Sequence, residues 1–239
     1  MTSDSISLRT ICQKNGLAIT DIQLEKLVRY AELLREWNQK INLVSRKDEE
    51  NIWTNHLLLS VALLFKVEFI AGSRVLDLGT GGGLPGIPLS ILRPDMRFVL
   101  LDSIQKKITA VSDMIRRLEL PNAAAVCSRA EAIHSSPGYV RSFDAVIARA
   151  VSGLDNVVSW ANPFLKPVKS PVAPLTLASG RIRLIHSAVI AMKGGETQAE
   201  VEKTARLFPR ARIQSMQLVF DGGEVLANSG KQIIIVENL

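Results

Sequence analysis

Apolar residues at Leu24, Leu27, Val28, Ala31, Leu34, Trp37 and Ile41 recur every three or four positions between 23 and 43, the spacing of one helical face. A stripe of this kind must pack against something. A second helical stretch is expected over about 48–67 with Asp48 as its cap, so the first seventy residues read as helical. After Gly72-Ser73 the period changes. Short apolar runs at 74–78, 97–102, 123–127 and 143–148 alternate with helix-like stretches such as 104–118. Such alternation predicts a parallel sheet covered on both faces. Late strands at about 188–192, 212–220 and 231–237 complete it, the last two joined by an antiparallel return through DGGEVLANSG.

The expected fold is α/β: a doubly wound, Rossmann-like sheet, mostly parallel with an antiparallel late strand, preceded by an N-terminal helical extension. The division is 1–72 for the extension, packed on the core, and 73–239 for the sheet domain. The stretch 167–187 holds three prolines in its first half and reads as an irregular loop or insertion; its second half carries no element prediction.

Composition narrows the setting. Hydrophobic residues make up 47% of the 239, enough for a core without staples. Cys12 and Cys127 match no metal or redox spacing, and the three histidines form no ligand cluster, so no metal is expected. The start MTSDSISLRT lacks a signal-peptide pattern, and LLLSVALLF at 57–65 is too short to span a bilayer. A cytoplasmic protein with no membrane contact is expected. The net charge of +6 fits either ordinary basic drift or a polyanionic partner.

The stretch VLDLGTGGGLPGIPL holds five of the chain's fifteen glycines directly behind the first strand. Glycine admits positive φ and removes the Cβ that would block a ligand, and ligands of open α/β sheets sit beyond the carboxyl ends of the strands. Two ligands compete. Gly81-x-Gly83-x-x-Gly86, with Asp102 about twenty residues on, satisfies the dinucleotide fingerprint. The other is S-adenosylmethionine, with Asp77 facing its cationic amino-acid end, Gly79 and Gly81 in the turn, and Asp102 accepting from the ribose hydroxyls. Pro85 and Pro88 argue against a helix N-terminus aimed at a pyrophosphate, and too little chain follows the sheet for a hydride-transfer domain. The methyl donor is the favoured reading; glycines serving only a tight turn are the bland one.

The sequence resembles the bacterial small-subunit ribosomal RNA guanine-N7 methyltransferases of the RsmG (GidB) type. The resemblance rests on Trp37-Asn38-Gln39-Lys40-Ile41-Asn42-Leu43, on GTGGGLPGIPLS, on Leu101-Asp102-Ser103 with Lys106-Lys107, on Ser128-Arg129-Ala130-Glu131, on Ala148-Arg149-Ala150-Val151 and on Lys193-Gly194. It covers most of the chain. It implies a class I methyltransferase sheet, S-adenosylmethionine as donor, and as substrate 16S ribosomal RNA in the small subunit, at guanine 527. It implies donor contacts at Gly79 and Leu84, adenine contacts at Ala130 and Glu131, and Arg149 at the rim of the donor and substrate site. A monomer is expected. Two positions depart from the family pattern: Asn55 stands where a basic residue precedes His56, and Leu59 stands where an Asp is usual.

Guanine N7 carries a lone pair and no proton, so its methylation needs alignment rather than a general base. Arg149 is accordingly a positioning group. Candidate RNA contacts are Asn42, Arg46, His56, Lys106 and Lys193. His56 is weighed against a structural histidine, Trp37 as core against base stacking, and Asn42 as a helix cap against a base contact. Other readings stay open: a methyltransferase for another RNA or a small molecule, a nicotinamide-dependent oxidoreductase, and a noncatalytic RNA-binding descendant, which Leu59 keeps alive.

Overall fold

A computed structural model describes residues 3–45, 48–168, 175–227 and 230–239. Two helices lead: α1 (Ser3–Lys14) and α2 (Asp21–Asn38). Thr20 starts α2 with a capping box, its hydroxyl accepting from the Gln23 N–H and the Gln23 side chain accepting from the Thr20 N–H. The apolar stripe runs on to Ile41, yet the helix stops at Asn38. The Asn38 side-chain oxygen accepts from the N–H groups of Leu43 (2.9 Å) and Val44 (3.0 Å), which turns the chain.

The helix predicted over 48–67 is a π-helical turn, Ile52–Leu58, followed by short α-turns Leu59–Val61 and Leu63–Lys66. Asp48 does not cap it. Its carboxylate instead accepts from the Ser45 hydroxyl and the Asn55 amide.

Seven strands form the main sheet: β1 (Arg74–Leu78), β2 (Arg97–Asp102), β3 (Ala123–Cys127), β4 (Ala145–Arg149), β5 (Ala188–Gly194), β6 (Arg212–Gln217) and β7 (Lys231–Glu237). Their order is β3-β2-β1-β4-β5-β7-β6, with β3 to β5 parallel and β7 antiparallel to both neighbours. Among the connections are the helices α3 (Gly86–Leu92), α4 (Gln105–Arg117), α5 (Leu154–Ala161) and α6 (Gln198–Leu207). The strand order reverses between β1 and β4, which places a ligand crevice at their carboxyl ends.

Side chains alternate across the sheet. Val75, Leu100, Ile147, Ile190 and Ile235 face α2, α4 and the π-helical turn in one core. Leu76, Leu101, Val146, Val189 and Ile234 face α5 in the other. The helical extension therefore shares a continuous core with one face of the sheet. Within 167–187, Ile182–Arg183 is the middle strand of a small three-stranded ladder, parallel to Val67–Glu68 on one side and antiparallel to Leu175–Thr176 on the other; 169–174 lie outside the described residues.

Candidate active site

The turn after β1 is built on the backbone. Gly79 lies at φ +73°, and its N–H and that of Thr80 both donate to the Leu101 carbonyl, at 2.8 and 2.9 Å. A Cβ on Gly79 would stand 2.7 Å from Val151 Cγ2, so the position excludes any side chain on two counts. Gly81, at φ +57°, donates its N–H to Asp102 Oδ2 at 3.0 Å, and Ile104 N–H donates to Oδ1 at 3.0 Å. Asp102 is thereby fixed at the end of β2 with acceptor capacity to spare on both oxygens.

Beyond these strand ends opens a cleft of about 310 Å³, lined by Gly79, Asp102, Lys107, Ala130, Glu131 and Val151 among others. A larger hollow, about 590 Å³, lies at the opposite end of the sheet around Ser73, Asp144 and Ser187. The smaller cleft is the candidate site because it alone of the two sits at the carboxyl ends beside the switch point.

The structure separates the expected donor residues into two groups. Gly79, Asp102, Ala130 and Glu131 line the cleft. Asp77, Gly81, Leu84 and Arg149 do not. Asp77 turns into the loop: its Oδ2 accepts from the Thr80 hydroxyl (2.6 Å) and the Gly86 N–H (2.9 Å), while Oδ1 is buried without a partner. Burial pushes this carboxyl up to about 6, against the two hydrogen bonds that lower it. Asp77 thus shapes the loop through Thr80 and Gly86 and does not line the cleft. Leu84 is buried in the core shared with the helices.

Arg149 points away from the cleft toward the helical extension. Its Nη1 donates to the His56 carbonyl (3.3 Å) and Ser60 Oγ (3.2 Å), and its Nη2 to the Asn55 carbonyl (3.2 Å) and His56 Nδ1. A guanidinium only donates, so His56 is neutral with its proton on Nε2. Burial, then Arg149, lowers the His56 pKa to about 4. Both carbonyls that accept from Arg149 belong to the π-helical turn, an element frequent at functional sites. Both family departures are absorbed here: Asn55 meets Arg149 through its backbone, and Leu59 is buried in the core.

The expected RNA contacts also divide. Lys106 and Asn42 are exposed and border a polar hollow of about 460 Å³ beside the C-terminal end of α2. Asn42 caps nothing, since α2 ends at Asn38. His56 is buried. Lys193 is tied down, its Nζ donating to the Ser152 carbonyl (2.5 Å) and to Glu200 Oε2 (2.7 Å). Arg46 lies outside the described residues. Trp37 packs partly buried against the core and donates from Nε1 to Asp113 at 3.0 Å, joining α2 to α4.

One residue escaped the sequence reading. Tyr30, fully buried, donates its hydroxyl to the Gly82 carbonyl at 3.0 Å and so ties α2 to the glycine turn. The signal was present: Tyr30 sits three after Leu27 and four before Leu34, a polar tip inside an apolar stripe. Among the described residues, no group of three or more His, Cys, Asp or Glu is placed to hold a metal, and no helix is long and apolar enough to cross a membrane.

The strand order, the glycine turn after β1 and the acid closing β2 define a Rossmann-like methyltransferase architecture. A chain of the fibrillarin/Nop5p complex shares the fold, with a TM-score of 0.53 at 14% identity over 77% of this chain and 80% of that one. The family described as rRNA small subunit methyltransferase G matches residues 23–173. The ribosomal RNA small subunit methyltransferase G of Chlorobium phaeobacteroides is 41% identical over 82% of this chain and 78% of its own length. That of Pelodictyon phaeoclathratiforme is 38% identical over 99% and 94%. The chain belongs to the rRNA small subunit methyltransferase G family.

The methyl donor of such enzymes is S-adenosylmethionine, and the cleft fits it. Asp102 presents lone pairs at the cleft that its two N–H donors leave free, Ala130 and Glu131 line the same cleft, and Gly79 contributes backbone alone.

Proposed function

We propose that the chain transfers the methyl group of S-adenosylmethionine to N7 of a guanine in 16S ribosomal RNA, with guanine 527 as the target that the family resemblance implies. The observation carrying this reading is the cleft in which Gly79, the oriented Asp102 and the Ala130-Glu131 pair meet at the switch point. Asp102 holds the ribose and Ala130 with Glu131 the adenine. Arg149 is a positioning residue, joining the end of β4 to the π-helical turn. When bound, the donor supplies a sulfonium methyl whose bond to sulfur breaks, the pair staying on sulfur, as the N7 lone pair forms the new bond. The protein's task is to hold the two partners in line.

The polyanionic substrate is supported by Lys106, Lys107 and Arg129, which surround the carboxyl-end rim and appear in no ion pair among the described residues. Such cations position a phosphate backbone without reading sequence. The enzyme acts in the cytoplasm as a monomer, with 1–72 as a helical extension of the methyltransferase domain.

The test is transfer from labelled S-adenosylmethionine to small ribosomal subunits lacking the modification, mapped by strand cleavage specific for N7-methylguanine. One modified guanine supports the proposal; donor binding without transfer to any site in the RNA overturns it.

A further inference from the structure

Lys193 lies near the end of β5, where a substrate-facing cation is the natural expectation. Its side chain is instead 14% exposed and bonded at Nζ to two acceptors. Nζ donates to the Ser152 carbonyl at 2.5 Å and to Glu200 Oε2 at 2.7 Å. The same Glu200 Oε2 accepts the N–H of Leu154, the first residue of α5, at 2.7 Å. A carboxylate at a helix start is favourably placed, since it receives an N–H that has no partner inside the helix. A Cβ on Gly153 would crowd Asp155 Oδ1 at 2.9 Å, whereas Glu200 Oε2 would stand at ordinary contact distance, 4.0 Å. A second ion pair, Lys203 with Asp155 at 2.7 Å, joins α6 to the same turn.

The segment so gripped is 150–154, and it forms one wall of the donor cleft. Ala150 and Val151 line the cleft directly. Ala150 sits at φ +55°, a backbone conformation that an L-residue holds only when its surroundings impose it. Val151 stands over Gly79 in the space that a glycine leaves free. Ser152 and Leu154, on either side of Gly153, are the two points that Lys193 and Glu200 fasten.

We infer that Lys193 and Glu200 act as one clamp that sets the Ala150–Val151 wall against the glycine turn, so that both are positioning residues for donor binding and Lys193 is not an RNA contact. The inference rests on the donor-cleft reading above. The clamp couples β5 and α6 to the segment between β4 and α5, Lys193 Nζ at Ser152 and one Glu200 carboxylate oxygen at Leu154. Loss of either member frees the same segment, so the two losses are not independent.

The experiment compares Lys193→Met, Glu200→Gln, the double variant and Lys193→Arg. Donor affinity is read by calorimetry with S-adenosylmethionine, RNA affinity with the naked 16S transcript, and backbone freedom by hydrogen exchange at 150–154. Lys193→Met and Glu200→Gln are each expected to weaken donor binding about tenfold and to speed exchange in the segment. The double variant should be no weaker than the worse single one. RNA affinity should hold, and Lys193→Arg should recover most of the donor affinity. Reduced RNA affinity in Lys193→Met, with Glu200→Gln like wild type in donor binding and exchange, overturns the clamp. A wild type that binds no donor defeats the function proposed above; faster exchange in both single variants would still uphold the clamp, and unchanged exchange would remove it too.

Discussion

The two sides of the glycine turn are made of different material. On the cleft side, Gly79 presents backbone, and Asp102 is anchored by N–H donors from Gly81 and Ile104. On the side facing the helical extension, polar groups are buried and serve one another: Tyr30 on the Gly82 carbonyl, Asp77 on Thr80 and Gly86, Arg149 on the π-helical turn. The first side has acceptor capacity left for a ligand. The second leaves Asp77 Oδ1 without a partner, but buried and outside the cleft lining, so its residues hold the turn in place and act on the ligand only through it. Chemical type does not separate the sides, since each carries an aspartate at a strand end. What separates them is whether an aspartate's lone pairs are accessible from the cleft.

This difference predicts that variants on the helical side cost stability first, and variants on the cleft side cost donor affinity first. Arg149→Ala should have the largest effect. It strips donors from the buried carbonyls of Asn55 and His56 and from His56 Nδ1, and a lost buried partner costs about 3 kcal/mol. A urea titration should show that loss; an Arg149→Ala variant as stable as wild type would mean that the guanidinium is not the support of the π-helical turn.

Asp102→Ala should cost about 2 kcal/mol in donor binding, roughly thirtyfold in Kd, since a charged acceptor for hydroxyls is removed. Its unfolding midpoint should move less than that of Arg149→Ala, because the N–H groups it releases lie beside the open cleft. Equal donor affinity by calorimetry would remove Asp102 from the site. Tyr30→Phe belongs to the other side again and should cost about 1 kcal/mol of stability, the worth of one neutral hydrogen bond. A fall in donor affinity larger than the fall in stability would show that the turn transmits more than it is credited with.

The legible part of the site follows the same division. β1, β2, β3 and β7 are read from sequence to the residue because short apolar runs bounded by turn residues mark strands, even at the partly exposed edge that β3 forms. Of the cleft residues, Gly79 and Asp102 are legible because glycine and a strand-end acid leave a pattern in the chain itself, whereas Ala130 and Glu131 come from the family resemblance. The supports are not. Nothing local to Arg149 says that it faces His56 ninety-three residues earlier, and nothing local to Lys193 says that Glu200 and Ser152 enclose it. A lysine or arginine at a strand end reads alike whether it meets solvent, phosphate or a buried carbonyl. The helix boundaries at Asn38 and Asp48 were missed for a related reason: a single side chain there bonds to backbone or to a neighbour and ends or redirects a pattern that periodicity would continue.

The least effect of all is expected where two buried groups on the helical side oppose each other. Burial raises Asp77 from 3.8 to about 6 and lowers His56 from 6.5 to about 4. Between those values the folded chain keeps a proton on Asp77 that the unfolded chain has released, so this contribution to stability declines as pH rises and is gone above about 6. Over nearly the same interval the unfolded chain protonates His56 and the folded chain does not, so that contribution grows as pH rises from about 4 to 6.5. The two trends cancel in large part, and wild type should show little net dependence from this pair. Each single variant exposes the other's trend. Relative to wild type, Asp77→Asn should gain stability as pH rises from 4 to 6.5, and His56→Gln should lose it over the same interval. Melting temperatures of the three proteins at four or five pH values decide the matter. Parallel curves would mean that neither group is shifted by burial, and the helical side of the turn would then be wetter than its packing indicates.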